Sequence, residues 1–114
     1  MDIFTTLLPA SWVSTRLSVD SRELETARER GELFAVKGSR EWFYPAWQFG
    51  PGGTIPEGIR EAVSTARSAG LTEAGLVALL RRRTGLVNSG RFLDLLFEGR
   101  SDYVRGAIRK AAAA

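Results

Sequence analysis

The sequence predicts a mainly α fold with one small β-hairpin, and three observations carry that prediction. A firmly capped amphipathic helix ends at a glycine and is followed at once by two short β-type runs about a turn. Beyond a Gly-Pro-Gly-Gly break, apolar residues recur at helical spacing almost to the last residue. The composition is that of an ordinary globular chain, with 44% hydrophobic and 25% charged residues and glycines scattered without period.

Residues 1–9 form a short apolar lead ending at Pro9. Residues 10–17 read as a two-turn helix with Trp12, Val13 and Leu17 on one face, broken by Ser18-Val19. Asp20 is a good N-cap, and Glu23 three residues on completes a capping-box pattern. The helix so begun is expected to run through Arg30 and stop at Gly31, a left-handed C-cap. Two strand-like pieces follow, Leu33 to Lys37 and Glu41 to Tyr44, joined by Gly38-Ser39-Arg40 and closed by Pro45. Trp42 and Tyr44, and again Trp47 and Phe49, are spaced two apart, which marks them as core joining the hairpin to the later helices. Exposed aromatics for base stacking are the other use of such a run.

Gly50-Pro51-Gly52-Gly53 divides the chain into residues 1–50 and a helical module over 51–114. Residues 56–69 place Ile59, Ala62, Val63 and Ala66 on one stripe and stop at Gly70. Thr72 caps a helix to about Arg83 with Leu76, Val77, Leu79 and Leu80 inward. A short helix over about 91–98 precedes Gly99, and Ser101 caps the last helix, striped by Val104, Ala107, Ile108 and Ala111. Residues 111–114 are expected to fray.

Helix, tight turn, capped helix, glycine and hairpin, in that order, make a winged helix-turn-helix, with the capped helix as the reading element. Its period turns Arg22, Thr26 and Glu29 outward, with Ser21 and Glu25 on the flank. Arg22 can pair with a guanine edge, Ser21 can reach a phosphate, and Lys37 and Arg40 flank the wing turn where cations meet phosphates. Glu25 and Glu29 pull the other way, since a glutamate can accept from cytosine but is repelled by phosphate. Arg28 falls inward, where an apolar residue is expected. Charge divides unevenly: six basic and seven acidic groups over residues 1–49, ten and six over residues 50–114. The net charge of +3 is only mildly suited to a polyanion.

The stretch from Leu17-Ser18-Val19-Asp20 to Gly31-Glu32-Leu33 resembles the excisionase and MerR type of winged domain, over residues 11–49. That resemblance implies a helix in the major groove of double-stranded DNA and a wing against the backbone or minor groove. A second segment carries Gly85-Leu86, Gly90-Arg91, Leu93-Asp94-Leu95-Leu96, Gly99-Arg100, Asp102 and Val104. It is similar to the toxin-binding C-terminal domain of MbcA/ParS-like antitoxins, although Phe92-Leu93 stands near the family's proline. Together the resemblances imply a bacterial antitoxin-type regulator of transcription, with a cognate toxin as protein partner.

Residues 92–97, Phe-Leu-Asp-Leu-Leu-Phe, are apolar nearly all round. Either three neighbouring helices wrap them, or part of Phe92, Leu93, Leu96 and Phe97 meets a partner or a second copy in a dimer. Arg81-Arg82-Arg83 reads as the solvated last turn of a helix, or as phosphate contacts. Function stays open among a DNA-binding regulator, an adaptor whose winged fold no longer reads DNA, and a low-specificity architectural or partition protein.

Enzymatic chemistry, a metal site and a cofactor are not expected. The chain has no histidine and no cysteine, and Lys37 and Lys110 are its lysines. No Gly-x-x-x-x-Gly-Lys phosphate loop or dinucleotide fingerprint occurs. No apolar run approaches the roughly 18 residues of a membrane span. Met1-Asp2-Ile3-Phe4 lacks a basic signal region, so a cytoplasmic location is expected.

Overall fold

A computed structural model describes residues 2–50, 54–83 and 90–113. The chain divides into two compact units, Met1–Pro56 and Glu57–Ala114. Of the Gly-Pro-Gly-Gly break, residues 51–53 lie outside the described set, as do Gly85-Leu86 of the second resemblance.

The first unit runs β1 (Leu7–Pro9), α1 (Ala10–Arg16), α2 (Ser21–Glu29), β2 (Val36–Lys37), β3 (Trp42–Pro45) and a 3-10 turn over Ala46–Gln48. Its sheet has the antiparallel order β1-β3-β2, with Leu8 opposite Tyr44 and Val36 opposite Phe43. The winged helix-turn-helix is therefore present, and its hairpin carries a third strand contributed by the apolar lead.

Between α1 and α2 the chain turns at Ser18, whose φ of 59° is left-handed, while Val19 is driven into the core. Asp20 Oδ1 accepts the backbone N–H of Arg22 at 2.8 Å and of Glu23 at 3.1 Å, so two amides that would otherwise lack a partner are satisfied. Gly31 takes φ 72°, which lets the Gly31 N–H reach the Arg28 carbonyl and the Glu32 N–H reach the Ala27 carbonyl. This is a Schellman closure, and it needs a residue without a Cβ penalty. Val13, Val19, Leu24, Ala27, Leu33, Tyr44 and Trp47 form the core, with one polar side chain, Gln48, buried among the apolar ones.

The second unit holds α3 (Glu57–Ser68), α4 (Glu73–Leu80), α5 (Phe92–Phe97) and α6 (Ser101–Ala113). Ile59, Ala62, Val63 and Ala66 of α3 are fully buried, and Thr72 caps α4 by accepting the Gly75 N–H at 3.1 Å. Two local expectations need correcting. The helix α4 ends at Leu80 with Arg81 as its C-cap, so Arg82 and Arg83 lie beyond it rather than in its last turn. Ser101 is itself the first residue of α6, and its hydroxyl donates to Glu61 Oε2 of α3 at 2.7 Å. Gly58 marks the tightest approach, since a Cβ there would stand 2.5 Å from the Leu96 carbonyl oxygen. Among the described residues no helix is long and apolar enough to cross a membrane.

Candidate nucleic-acid interface

Four of the five residues expected on the outer side and flank of α2 are exposed, and Thr26, expected outward, is covered in part. Ser21, Arg22, Glu25 and Glu29 are exposed and Thr26 is half-buried, while Leu24 and Ala27 hold the inner side. The Asp20 carboxylate already occupies the first amides of α2, which leaves the Ser21 hydroxyl rather than those amides for a phosphate. Arg22 and Arg30 share the exposed surface with Glu23, Glu25 and Glu29. This helix alone does not attract a polyanion. The other exposed cations of this unit are Arg16 at the end of α1, Lys37 in β2 and Arg40 in the wing turn.

The wing is closed by the Gly38 N–H donating to the Glu41 carbonyl at 2.9 Å. Register places Lys37 directly opposite Trp42. Three side chains tie this short hairpin to the rest of the unit, and none was legible as such. Glu41 Oε1 accepts the Ser11 backbone N–H at 2.9 Å. It thereby supplies a side-chain partner at the start of α1, whose own N-cap, Pro9, supplies none. Arg28 stacks on Trp42, its guanidinium carbon 4.2 Å from the ring centroid. Gln48 Oε1 accepts the Phe34 N–H at 2.6 Å, and its Nε2 donates to the carbonyls of Phe34 at 3.1 Å and Pro45 at 3.2 Å.

The aromatic run divides by depth. Tyr44 and Trp47 are buried, whereas Trp42 and Phe49 are half-buried, short of the burial expected of all four. Phe34 tilts against Trp47 and Phe49 meets Tyr44 edge-on, so the run packs within its own unit. Burial pushes the Tyr44 phenol up, and the Arg28 guanidinium beside it pulls the other way.

The hydrogen bond from the Ser11 backbone, helped by the Ser11 side chain, holds the Glu41 carboxyl below the usual carboxylate range. A carboxyl lowered on folding stabilises the fold above its unfolded pKa and loses that contribution as pH falls through the folded value. Melting temperatures taken from about pH 5 down to about pH 2 should fall more steeply for the parent than for Glu41→Gln. Parallel curves would remove this role.

The residues expected at a partner surface separate sharply. Leu93 and Leu96 are 1% and 2% exposed and belong to the core of the second unit, because α3, α4 and α6 all pack on α5. That removes both from the expected surface. Phe92 is buried and stacks on Tyr103 with ring centroids 5.8 Å apart. Phe97, 39% exposed, is the member of the four that faces outward. Phe92 and Tyr103 also line an open groove of about 650 Å³ with Leu79, Arg82, Gly106 and Lys110. At the start of α5, Asp94 accepts the Arg91 backbone N–H at 2.8 Å and pairs with the Arg91 guanidinium at 3.2 Å. These contacts hold its carboxyl below the usual range.

No protein-family model and no curated protein matches this sequence. Among solved structures the chain is similar to the NMR structure of Rv2175c, with a TM-score of 0.60 and 18% sequence identity, over 99% of this chain and 83% of that one. At that identity the similarity is one of fold.

Proposed function

We propose that the chain is a DNA-binding regulator of antitoxin type. Its winged unit would sit on operator DNA, and its helical unit would bind a partner protein or a second copy. The observation that carries the DNA reading is the local geometry of the first unit. A capped helix follows a tight left-handed turn, with Arg22 exposed on it, and the adjoining wing presents Lys37 and Arg40 to solvent. The partner reading is supported by the exposed Phe97 and by the open groove beside Tyr103, together with the resemblance of this segment to toxin-binding modules. Glu25 and Glu29, both exposed on the reading helix, favour a second reading, an adaptor whose winged fold docks protein instead of DNA.

Gel shifts with the native upstream region separate the two. Lys37→Ala and Arg40→Ala should each shallow the log–log salt slope by about 0.9, independently of sequence. Arg22→Ala should instead relax preference at one base pair, at a cost of about 1–3 kcal/mol. Absence of binding at low salt, or a triple alanine variant that binds as the parent does, would leave the adaptor reading.

A further inference from the structure

Arg28 is the residue that breaks the apolar pattern of α2, and its surroundings explain why it is there. It sits half-buried on the flank of α2, between the buried Leu24 and Ala27 and the exposed Glu25 and Glu29. Its Nε is buried without a hydrogen-bond partner, so no anion holds the group at that atom. The Trp42 ring lies under the guanidinium, 4.2 Å from centroid to its carbon and well inside the roughly 6 Å reach of a cation–π contact. The Tyr44 phenol, on the same strand, is beside it. Trp42 lies directly across the hairpin from Lys37. The ring that Arg28 grips is therefore the cross-strand neighbour of a wing cation. β1 holds β3 over Phe43–Pro45, but that pairing stops short of Trp42, and β2 beyond it is only two residues long, too short to hold its place by strand pairing alone. Side chains from outside must decide where it rests.

We infer that Arg28 is a positioning residue: stacked on Trp42, it fixes where Lys37 and Arg40 are held relative to the reading face of α2. Its consequence for DNA rests on the function proposed above, whereas the coupling of α2 to the wing stands apart from it. An arginine on the flank of the reading helix thus serves the nucleic-acid surface without touching nucleic acid.

Two measurements on the full chain test this. In the free protein, Arg28→Gln should speed hydrogen exchange at the Gly38 amide, which reports wing closure, by about tenfold. The Leu24 and Ala27 amides should keep their protection, and Arg28→Lys, which retains the cation, should recover part of the loss. On the native upstream duplex, Arg28→Gln should shallow the salt slope by up to about 1.8, the loss shown by the Lys37→Ala/Arg40→Ala pair. Combining all three changes should then add nothing further. Unchanged exchange at Gly38 overturns the inference. So does a slope loss of about 0.9 that adds to that of the wing pair, since Arg28 would then itself neutralise a phosphate. If the parent binds no duplex, the DNA reading fails, and the exchange result still decides whether Arg28 holds the wing.

Discussion

Replacing Gln48 by leucine should remove on the order of 3 kcal/mol from the stability of the first unit. The side chain is fully buried, and its amide serves three backbone groups, the N–H and C=O of Phe34 and the C=O of Pro45. Leucine fills much the same space but leaves each group without that partner, at about 1–3 kcal/mol for a buried one. For a unit of this size the loss corresponds to a fall in melting temperature of roughly 10 °C or more. Gln48→Glu adds a sharper test. A buried glutamate keeps the acceptor for Phe34 but has no proton to donate when ionised, and burial raises its pKa. A group raised on folding contributes fully below its unfolded pKa and loses that contribution as pH rises through the folded value. The deficit of Gln48→Glu should therefore grow from acid to neutral pH, while that of Gln48→Leu stays level. Melting near the parent's for both variants would show that the amide is dispensable.

The second large effect is expected at Gly58. Glycine-to-alanine changes inside helices ordinarily gain about 0.5–1 kcal/mol, and Gly106 of α6 should behave so, because a Cβ there meets nothing within 4 Å. At Gly58 the sign should reverse. An added Cβ would stand 2.5 Å from the Leu96 carbonyl oxygen, and that atom is backbone in the buried helix α5, with no rotamer to relieve the clash. Moving α3 off α5 should cost about 1–3 kcal/mol for alanine and more for valine. Chemical denaturation of Gly58→Ala beside Gly106→Ala checks this directly. Two stabilised variants would mean that α3 and α5 are not in backbone contact.

What was legible in the sequence follows from how local each cause is. Asp20, the turn at Ser18-Val19 and Gly31 act within a few residues of themselves, so α2 could be placed with its caps and its inner face. The β1 strand could not. Three residues carry no period, and Leu7–Pro9 become a strand only by pairing with β3 more than 30 residues later. Gln48 has the composition of a surface residue, and its burial depends on where Phe34 happens to run. For Leu93 and Leu96 the composition of α5 left core and partner surface both open, and only the packing of α3, α4 and α6 around that helix decides for core. The candidate interface shares this split. The exposure of Arg22, Glu25 and Glu29 follows from helical period, whereas the anchoring of the wing through Glu41, Arg28 and Gln48 depends on contacts across 14 to 30 residues.

All three tryptophans of the chain, Trp12, Trp42 and Trp47, fall in the first unit, and they sample three environments. Trp12 is exposed, Trp42 lies under a guanidinium and Trp47 is buried against Phe34. The second unit's described aromatics are phenylalanines and Tyr103. Indole emission is thus an optical label confined to one half of the molecule, while far-ultraviolet ellipticity, dominated by helix, is weighted toward the other. Recording both signals through one denaturant titration distinguishes a single cooperative block, in which they coincide, from two independent ones, in which they part. In the second case variants at Gln48 should displace the fluorescence curve and variants at Gly58 the ellipticity curve, whereas in the first either variant moves both.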